Sequence, residues 1–296
     1  MPTTVVDLSP HCPTSPMIGG RLGDHALFAS SGGGASGRFV VVDPVAETVR
    51  AFDMEAPAGR SYASGFYGGA IGDEFIACWR GGGAGGIPIF ISKMKADGSY
   101  ILRPAPHVFV TNVLPCTAVA GTEVWVFGRV ANVLAIFDVG ADNWWPSLLT
   151  GCEARAEPVF HPGTNRMFVY TSNRLHSFDG NTKAQTQLAV LTSTEVPTQD
   201  AQVAVIGDIA YWRGSSNFTV IRLDMSAGTT SVESTPVNLG VPLTVSATGH
   251  LVTPLASIYQ GWNPATNDSY EDAVATVSGS VYRAATVSGR VVSGHR

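Results

Sequence analysis

Lysine is scarce in this sequence. Only three of its 18 basic residues are lysines, Lys93, Lys95 and Lys183, and the basic residues form no run. The 296-residue chain carries a net charge of −5, so it offers no general positive field to nucleic acid or to an anionic membrane. Nucleic acid is therefore not expected among its partners.

Long apolar runs and targeting signals are also lacking. Nowhere do 18 apolar residues follow one another, and we expect no membrane span. The first residues, "MPTTVVDLSPHCP", have neither a basic segment nor an apolar stretch typical of secretion. We therefore expect no signal peptide, and these residues leave the location open.

Patterns that carry catalysis or bind metal are missing as well. The cysteines form no Cys-x-x-Cys pair, which argues against a zinc site or a dithiol centre, and the seven histidines show no metal-ligand spacing. No nucleophile signature of the Gly-x-Ser-x-Gly or Cys/His type occurs. We therefore expect no catalytic residues, no metal and no cofactor. The four cysteines are Cys12, Cys78, Cys116 and Cys152.

Helical periodicity is almost absent, and short strands take its place. Runs of Val, Ile, Phe, Tyr and Trp alternate with Gly, Asn, Asp, Ser and Pro, which indicates an all-β fold. With 45% apolar and 14% charged residues, the chain is typical of a folded globular protein. We expect a single domain over residues 1–296.

An internal repeat divides the chain. A glycine, one or two polar residues and an apolar strand recur every 42 to 49 residues. A period of this size with three or four short strands per unit is typical of β-propeller blades. The repeats begin at Gly23, Gly72, Gly121, Gly163, Gly207 and Gly249.

Most repeats continue with a later strand that ends in Asp or Asn at a turn. Short acidic or amide side chains suit such a corner because they accept hydrogen bonds from backbone amides two residues on. Their recurrence favours turn capping over a catalytic or calcium-binding set. The corner residues are Asp43, Asp138, Asp179, Asp224 and Asn263.

The two ends of the chain fit the same scheme. "GRVVSGHR" near the C-terminus resembles a blade strand, and "TTVVDLSP" near the N-terminus copies "FVVVDP". We therefore predict a ring closed by pairing of the N-terminal strand with C-terminal strands, which removes an open sheet edge. Seven blades are favoured, and six is the alternative if the terminal segments complete only one mixed blade.

The segment "EVWVFGRVANVLAIFDVGADNWW" resembles a kelch-type blade, and "IYQGWNPATNDSY" is similar. The double glycine of the kelch family is missing from most units, so the resemblance implies the propeller fold and assigns no catalytic residue. It also implies a function, because kelch-like and related propellers mostly serve as binding platforms and a minority are enzymes.

The glycine-rich segment "SSGGGASGR" invites comparison with a phosphate-binding loop. It leads into a strand and contains no lysine, whereas a phosphate loop needs a lysine with Ser or Thr, or a following helix. "RGGGAGG" stands at the same point of the next repeat. Both segments are therefore predicted to be hairpin connections.

Tryptophan and arginine meet at the ends of equivalent strands, and in a propeller these positions would share one rim. Aromatic rings and guanidinium groups suit a protein hot spot, carboxylates or a glycan. The alternative is that each Trp packs between blades while the Arg extends outward. The candidate rim residues are Trp79, Arg80, Arg129, Trp212 and Arg213.

These observations favour a non-enzymatic binding or structural propeller. A chain poor in lysine, rich in Gly, Ala, Thr and Val, and without catalytic motifs resembles propeller proteins of phage virions, such as tail, fibre or head-decoration components. The resemblance implies a protein partner within an assembly, or a receptor or glycan on a cell surface. The alternative is a glycan-binding or glycan-active propeller enzyme with its site at the central channel.

Overall fold

The structure is a computed structural model, and it describes residues 3–12, 14, 18–31, 35–62, 64–81, 87–109, 116–128, 132–240, 243–254, 258–273, 281–288 and 290–295. Strands form one β-propeller ring, as predicted. No helix in these ranges is of a length and apolarity to cross a membrane.

Each blade is an antiparallel sheet whose strands follow one another from the inside of the ring outward. Blade 1 contains β2 (Ile18–Leu22), β3 (His25–Ser31), β4 (Ser36–Asp43) and β5 (Thr48–Glu55). Blade 2 contains β6 (Ser64–Ile71), β7 (Glu74–Arg80), β8 (Ile87–Met94) and β9 (Tyr100–Phe109). Blade 3 contains β10 (Cys116–Ala120), β11 (Glu123–Phe127), β12 (Val133–Asp138), β13 (Asn143–Trp144) and β14 (Leu149–Thr150).

Blades 4 to 6 repeat the four-stranded plan. Blade 4 contains β15 (Val159–His161), β16 (Arg166–Tyr170), β17 (Arg174–Asp179) and β18 (Gln185–Val190). Blade 5 contains β19 (Ala204–Ile206), β20 (Ile209–Arg213), β21 (Thr219–Asp224) and β22 (Thr229–Ser234). Blade 6 contains β23 (Thr244–Val245), β24 (Leu251–Pro254), β25 (Ile258–Trp262) and β26 (Ser269–Ala273).

The two ends of the chain meet in a smaller sheet. β1 (Thr3–Asp7) pairs with β28 (Arg290–His295), and β28 pairs with β27 (Val281–Val287). This closing sheet lies between blades 6 and 1, because β27 contacts both β23 and β2. The predicted closure of the ring by the N-terminal strand is confirmed.

The favoured count of seven blades is corrected to six. Within the described ranges, six sheets have four or more strands, and the closing sheet has three. This agrees with the alternative, in which the terminal segments form one mixed sheet. β1 pairs parallel with β28. β1 leads into the inner strand β2, just as the outer strand of each blade leads into the inner strand of the next blade. It therefore has the direction of an outer strand but occupies the third position of its sheet, directly beside β28.

The core lies between neighbouring sheets. Buried apolar clusters join each blade to the next, and one of them, containing Val6, Phe28, Val40 and Val292, joins the closing sheet to blade 1. The four cysteines are buried, and none of them forms a disulfide. Burial of β-branched and aromatic side chains between sheets is the main source of stability in such a ring.

Strand direction gives the ring two unlike faces. Antiparallel succession places the first-to-second and third-to-fourth turns of every blade at one end, which we call the turn face. The second-to-third connections and the connections between blades lie at the opposite end, which we call the loop face. The turn face is built of tight turns, with glycine at positive φ at Gly23, Gly72, Gly121 and Gly207.

Candidate functional site

The loop face carries the arginines that the sequence singles out. Arg80 is the last residue of β7 and Arg213 the last residue of β20. Both are second strands of their blades, so both end at the loop face. Blades 3 and 4 separate them along the ring. The fold therefore brings them to one face but not to one spot, and Arg129 lies outside the described residues.

The two tryptophans beside these arginines are fully buried. Trp79 packs between blades 1 and 2, where its Nε1 donates to Ser92 Oγ at 2.7 Å and its ring meets the Tyr62 ring edge to face. Trp212 packs between blades 4 and 5, and its Nε1 donates to the Glu157 carbonyl at 2.9 Å. Both rings stabilise inter-blade contacts, so a partner at the loop face would meet the arginines and not these rings.

The arginine side chains are half-buried at this face. The Arg213 guanidinium donates to Asn217 Oδ1 in the adjacent connection. The Arg213 carbonyl accepts from the Thr198 amide at 3.0 Å, which holds the end of β20 against the connection between blades 4 and 5. Arg60 has a structural role near Arg80. It donates to the carbonyl of Ile89, which faces Arg80 in the β7–β8 ladder, and to the carbonyl of Ala105. Burial lowers the pKa of Arg60.

The glycine-rich segments join antiparallel strands. Residues 32–34 and 82–86 lie outside the described part of the chain, but their flanking strands are paired. Ser31 faces Gly37 in the β3–β4 ladder, and Arg80 faces Ile89 in the β7–β8 ladder. The prediction that these segments connect hairpins is confirmed, and each leads into a strand rather than into the helix of a phosphate loop.

A cleft that the sequence did not indicate opens at the loop face between blades 3 and 4. It has a volume of about 250 Å³. Its walls come from the β11–β12 connection, the chain after β14, the β16–β17 connection and the facing strands β17 and β18. The lining residues are Asn132, 151–153, 171–174, His176 and Gln185.

His176 and Thr171 are the buried polar side chains among the described lining residues of this cleft, and His176 is the titratable one of the two. Its Nδ1 lies 2.9 Å from Gln185 Nε2, so the Gln185 amide donates to Nδ1 and the ring proton sits on Nε2. Burial, together with the nearby Arg174 charge, lowers the pKa of His176. The ring is therefore neutral at physiological pH.

The cleft contains a protonated thiol and exposed hydrogen-bond donors. Burial, with the Glu153 charge, raises the pKa of Cys152 to about 12, so this thiol stays protonated and is a poor nucleophile. Asn132, Asn173 and Arg174 are exposed and offer hydrogen-bond donors at the mouth. Within the described ranges, no three His, Cys, Asp or Glu side chains are grouped as metal ligands.

Sequence reasoning missed the cleft because its walls come from two different repeats. The one local signal is His176 in "RLHSFD", a polar residue at a buried position of a strand. Such a residue alone is more often a satisfied core histidine than part of a site. Only the packing of blade 3 against blade 4 places it near Asn132 and Glu153.

Comparisons with known proteins show the fold. No protein-family model matches the chain, and no curated protein matches it significantly. A structure from Bacteroides uniformis ATCC 8492, described as a "putative 6-phosphogluconolactonase", is similar with a TM-score of 0.59 and 15% identity. The match covers 86% of this chain and 83% of that one. A chain of a structure of the Mitotic Checkpoint Complex is similar with a TM-score of 0.59 and 11% identity, covering 99% of this chain and 86% of that one.

Proposed function

We propose that this chain is a non-enzymatic binding and structural β-propeller that presents its loop face to a macromolecular partner, as a structural or receptor-binding component of a virion. The observation that carries the proposal is the contrast between the two faces. The turn face consists of short turns that satisfy their own hydrogen bonds. The loop face carries the longer connections, where binding residues concentrate in rigid scaffolds.

The arginines of the loop face support this proposal. Arg80 is paired with strands on both sides, and Arg213 is paired with Val220 and accepts from the Thr198 amide, so the backbone beneath each guanidinium is held in place. Arginine is enriched in protein interfaces because its planar group forms several hydrogen bonds and stacks on aromatic rings. The separation of Arg80 and Arg213 around the ring fits a broad macromolecular partner better than a small ligand.

The composition supports the virion assignment. The chain has three lysines and 33 glycines in 296 residues, a character that resembles phage propeller proteins. A virion component should be found in purified particles at a fixed ratio to the other structural proteins. Quantitative mass spectrometry of particles from the source tests this, and absence of the chain from particles would remove the virion assignment.

Paired variants test the loop face. Cross-linking in purified particles, or on the surface of host cells, would identify the contacting macromolecule, and surface plasmon resonance would then measure its affinity. We expect Arg80→Ala combined with Arg213→Ala to weaken binding about tenfold or more, since interface arginines are frequent hot spots. The melting temperature should stay within a few degrees of the wild-type value.

Arg166→Ala is the matched control for these variants. Arg166 is exposed and begins β16 at the turn face, so its loss should leave the affinity unchanged. Equal weakening by Arg166→Ala would indicate general charge attraction, and unchanged affinity in the double variant would remove Arg80 and Arg213 from the interface.

A glycan-binding or glycan-active propeller is the second candidate function. The cleft between blades 3 and 4 favours it, because exposed amide and guanidinium groups suit sugar hydroxyl and carboxylate groups. The structural likeness to a protein described as a lactonase of a phosphorylated sugar acid points the same way. A glycan array and a 6-phosphogluconolactone hydrolysis assay test it. Binding or turnover that is lost in Arg174→Ala, with no macromolecular partner found, would replace the first proposal.

A further inference from the structure

The closing sheet is one strand narrower than the blades. β1 pairs with β28 along one edge, and in the described part of the chain no strand pairs with its other edge. In those same ranges the outer strands of the blades also have an open edge, but they occupy the fourth position at the perimeter. β1 occupies the third position of its sheet, one position closer to the centre of the ring. In each of the six blades, the strand at the third position pairs with a further, outer strand.

A groove follows this edge. It has a volume of about 420 Å³ and lies between β1 and the outer half of blade 1. Thr4 and Val6 of β1 form one wall, and the Val42–Val49 pair of the β4–β5 ladder forms the other. The groove therefore occupies the place where the side chains of an outer strand of the closing sheet would pack against blade 1.

The edge itself has the composition of a pairing strand. The sequence of β1 is "TTVVD", which is rich in β-branched residues and contains neither lysine nor proline. Proteins commonly protect exposed edges with lysine, proline or a bulge. A strand rich in Thr and Val without such protection is well suited to pair with another extended segment.

The groove is acidic. Among its described lining residues are the three carboxylates Asp7, Asp43 and Glu47 and the cation Arg290, and the charge of Arg50 also acts on Asp43 from close by. Hydrogen bonds from the Ala46 and Val45 amides lower the pKa of Asp43, so this carboxylate is charged throughout the physiological range. An occupant with basic side chains toward the carboxylates and apolar side chains toward Val42 and Val49 complements both the charge and the apolar wall.

We propose that the closing sheet binds an extended, basic segment of a partner protein as its fourth strand, by backbone hydrogen bonds to the open edge of β1. This surface follows the outer side of the ring to the turn face, where Asp43 and Glu47 lie, and is distinct from the loop face. Strand addition of this kind draws affinity from main-chain hydrogen bonds and specificity from alternate side chains. A second copy of this chain is disfavoured, because two copies joined at this edge would bring their carboxylates together.

The test uses the full chain and a synthetic probe. The probe is the end-blocked, fluorescein-labelled peptide Lys-Val-Lys-Val-Thr-Val-Lys, and fluorescence anisotropy measures its binding. We expect saturable one-to-one binding. The same peptide with N-methyl groups on alternate backbone amides should bind about tenfold more weakly, because it loses backbone donors while keeping its charge.

Charge variants of the groove provide the second arm. Asp43→Asn combined with Glu47→Gln should weaken peptide binding about fivefold at low salt. Asn263 occupies the corner of blade 6 and accepts a hydrogen bond from a backbone amide, as Asp43 does in blade 1. Asn at position 43 is therefore expected to preserve the turn. Glu47→Gln alone serves if the double variant unfolds. Asp224→Asn, the same change at the corner of blade 5, is the control and should leave binding unchanged.

Three results would overturn the proposal. The first is the absence of saturable peptide binding. The second is equal affinity for the peptide and its N-methylated form, and the third is that Asp224→Asn weakens binding as much as the double variant of Asp43 and Glu47 does. A fourth is reversible dimerisation in sedimentation velocity that the peptide inhibits, since the edge would then bind a second copy of the chain.

Discussion

The corner residues at the third-to-fourth turns act through their side-chain oxygen. Asp179 Oδ1 accepts from the Asn181 and Thr182 amides at 2.9 and 2.7 Å, and Asp43 Oδ1 accepts from two amides at 2.9 Å. Asn263 Oδ1 accepts from the Ala265 amide at 2.9 Å. The capping role expected from the recurrence of these residues is confirmed.

Four residues beyond each corner the backbone enters the left-handed region. The position has φ of 54° at Glu47, 51° at Asp142, 62° at Lys183, 69° at Gly228 and 61° at Asn267. In a sequence, glycine and asparagine indicate such a conformation, whereas glutamate and lysine do not. The corner bonds therefore impose one turn geometry on residues that do not individually prefer it.

Asp179 provides a test of this capping. Asp179→Ala leaves the Asn181 and Thr182 amides without their acceptor, and we expect the melting temperature to fall by roughly 2–4 °C. Asp179→Asn should retain most of the stability, because Asn263 performs the same role in blade 6. Differential scanning calorimetry measures both. Equal losses in the two variants would show that charge, and not the accepted hydrogen bonds, stabilises the turn.

Neighbouring blades are joined by ion pairs at the turn face. Lys93 and Arg103 of blade 2 bind Asp142 of blade 3. Lys183 of blade 4 binds Glu123 of blade 3, with Nζ 2.6 Å from Oε2. Each contact joins a third-to-fourth turn to a strand or turn of the adjacent blade, so these pairs set how one blade sits against the next.

Lys183 is the most enclosed of these cations. Its side chain is 7% exposed and its Nζ lies 4.6 Å from the centre of the Trp125 ring and 5.4 Å from that of Trp145. Trp125 Nε1 also donates to Glu123 Oε2 at 2.8 Å. The carboxylate thus holds both the cation and the ring beneath it, and burial from water strengthens each interaction.

Removing this buried cation should destabilise the ring. Lys183→Met keeps the length of the side chain but leaves the Glu123 carboxylate without its cation. We expect a loss of ~3 kcal/mol in the free energy of unfolding, measured in urea. Lys95→Met is the control, because its pair with Asp73 is exposed and such pairs contribute little. A negligible effect of Lys183→Met would mean that apolar packing alone fixes blade 4 against blade 3.

The whole ring was partly predictable from the sequence. Strand order, corner residues and closure by the N-terminal strand depend on local patterns that recur, and each repeat carries its own evidence. The parallel pairing of β1 with β28 and the split outer strand of blade 3 carry no such signal. They depend on which neighbour a strand finds once the ring has closed.

The candidate site was less predictable for the same reason. "WRG" in two repeats correctly indicated two strand ends on one face, but the sequence does not distinguish a buried ring from an exposed one. Trp79 and Trp212 are buried because the adjacent blades cover them. The cleft at His176 and the groove at Asp43 exist only between sheets, so their residues are far apart in the chain.

Acid should weaken the whole molecule in two stages. Burial lowers the pKa of His176 in the folded state, so its contribution is complete above 6.5 and is lost as the pH falls below that value. Backbone hydrogen bonds lower the pKa of Asp43 and Asp179, and bonds from His161 and Ser226 lower that of Asp208. Their contributions are complete above 3.8 and are lost as the pH falls through the lower folded-state values. We expect a small fall in melting temperature just below pH 6.5 that His176→Asn abolishes, and then a further fall as the pH is lowered from 3.8 to about 3. A melting temperature that stays constant down to about pH 3 would contradict the stabilising role assigned to these carboxylates.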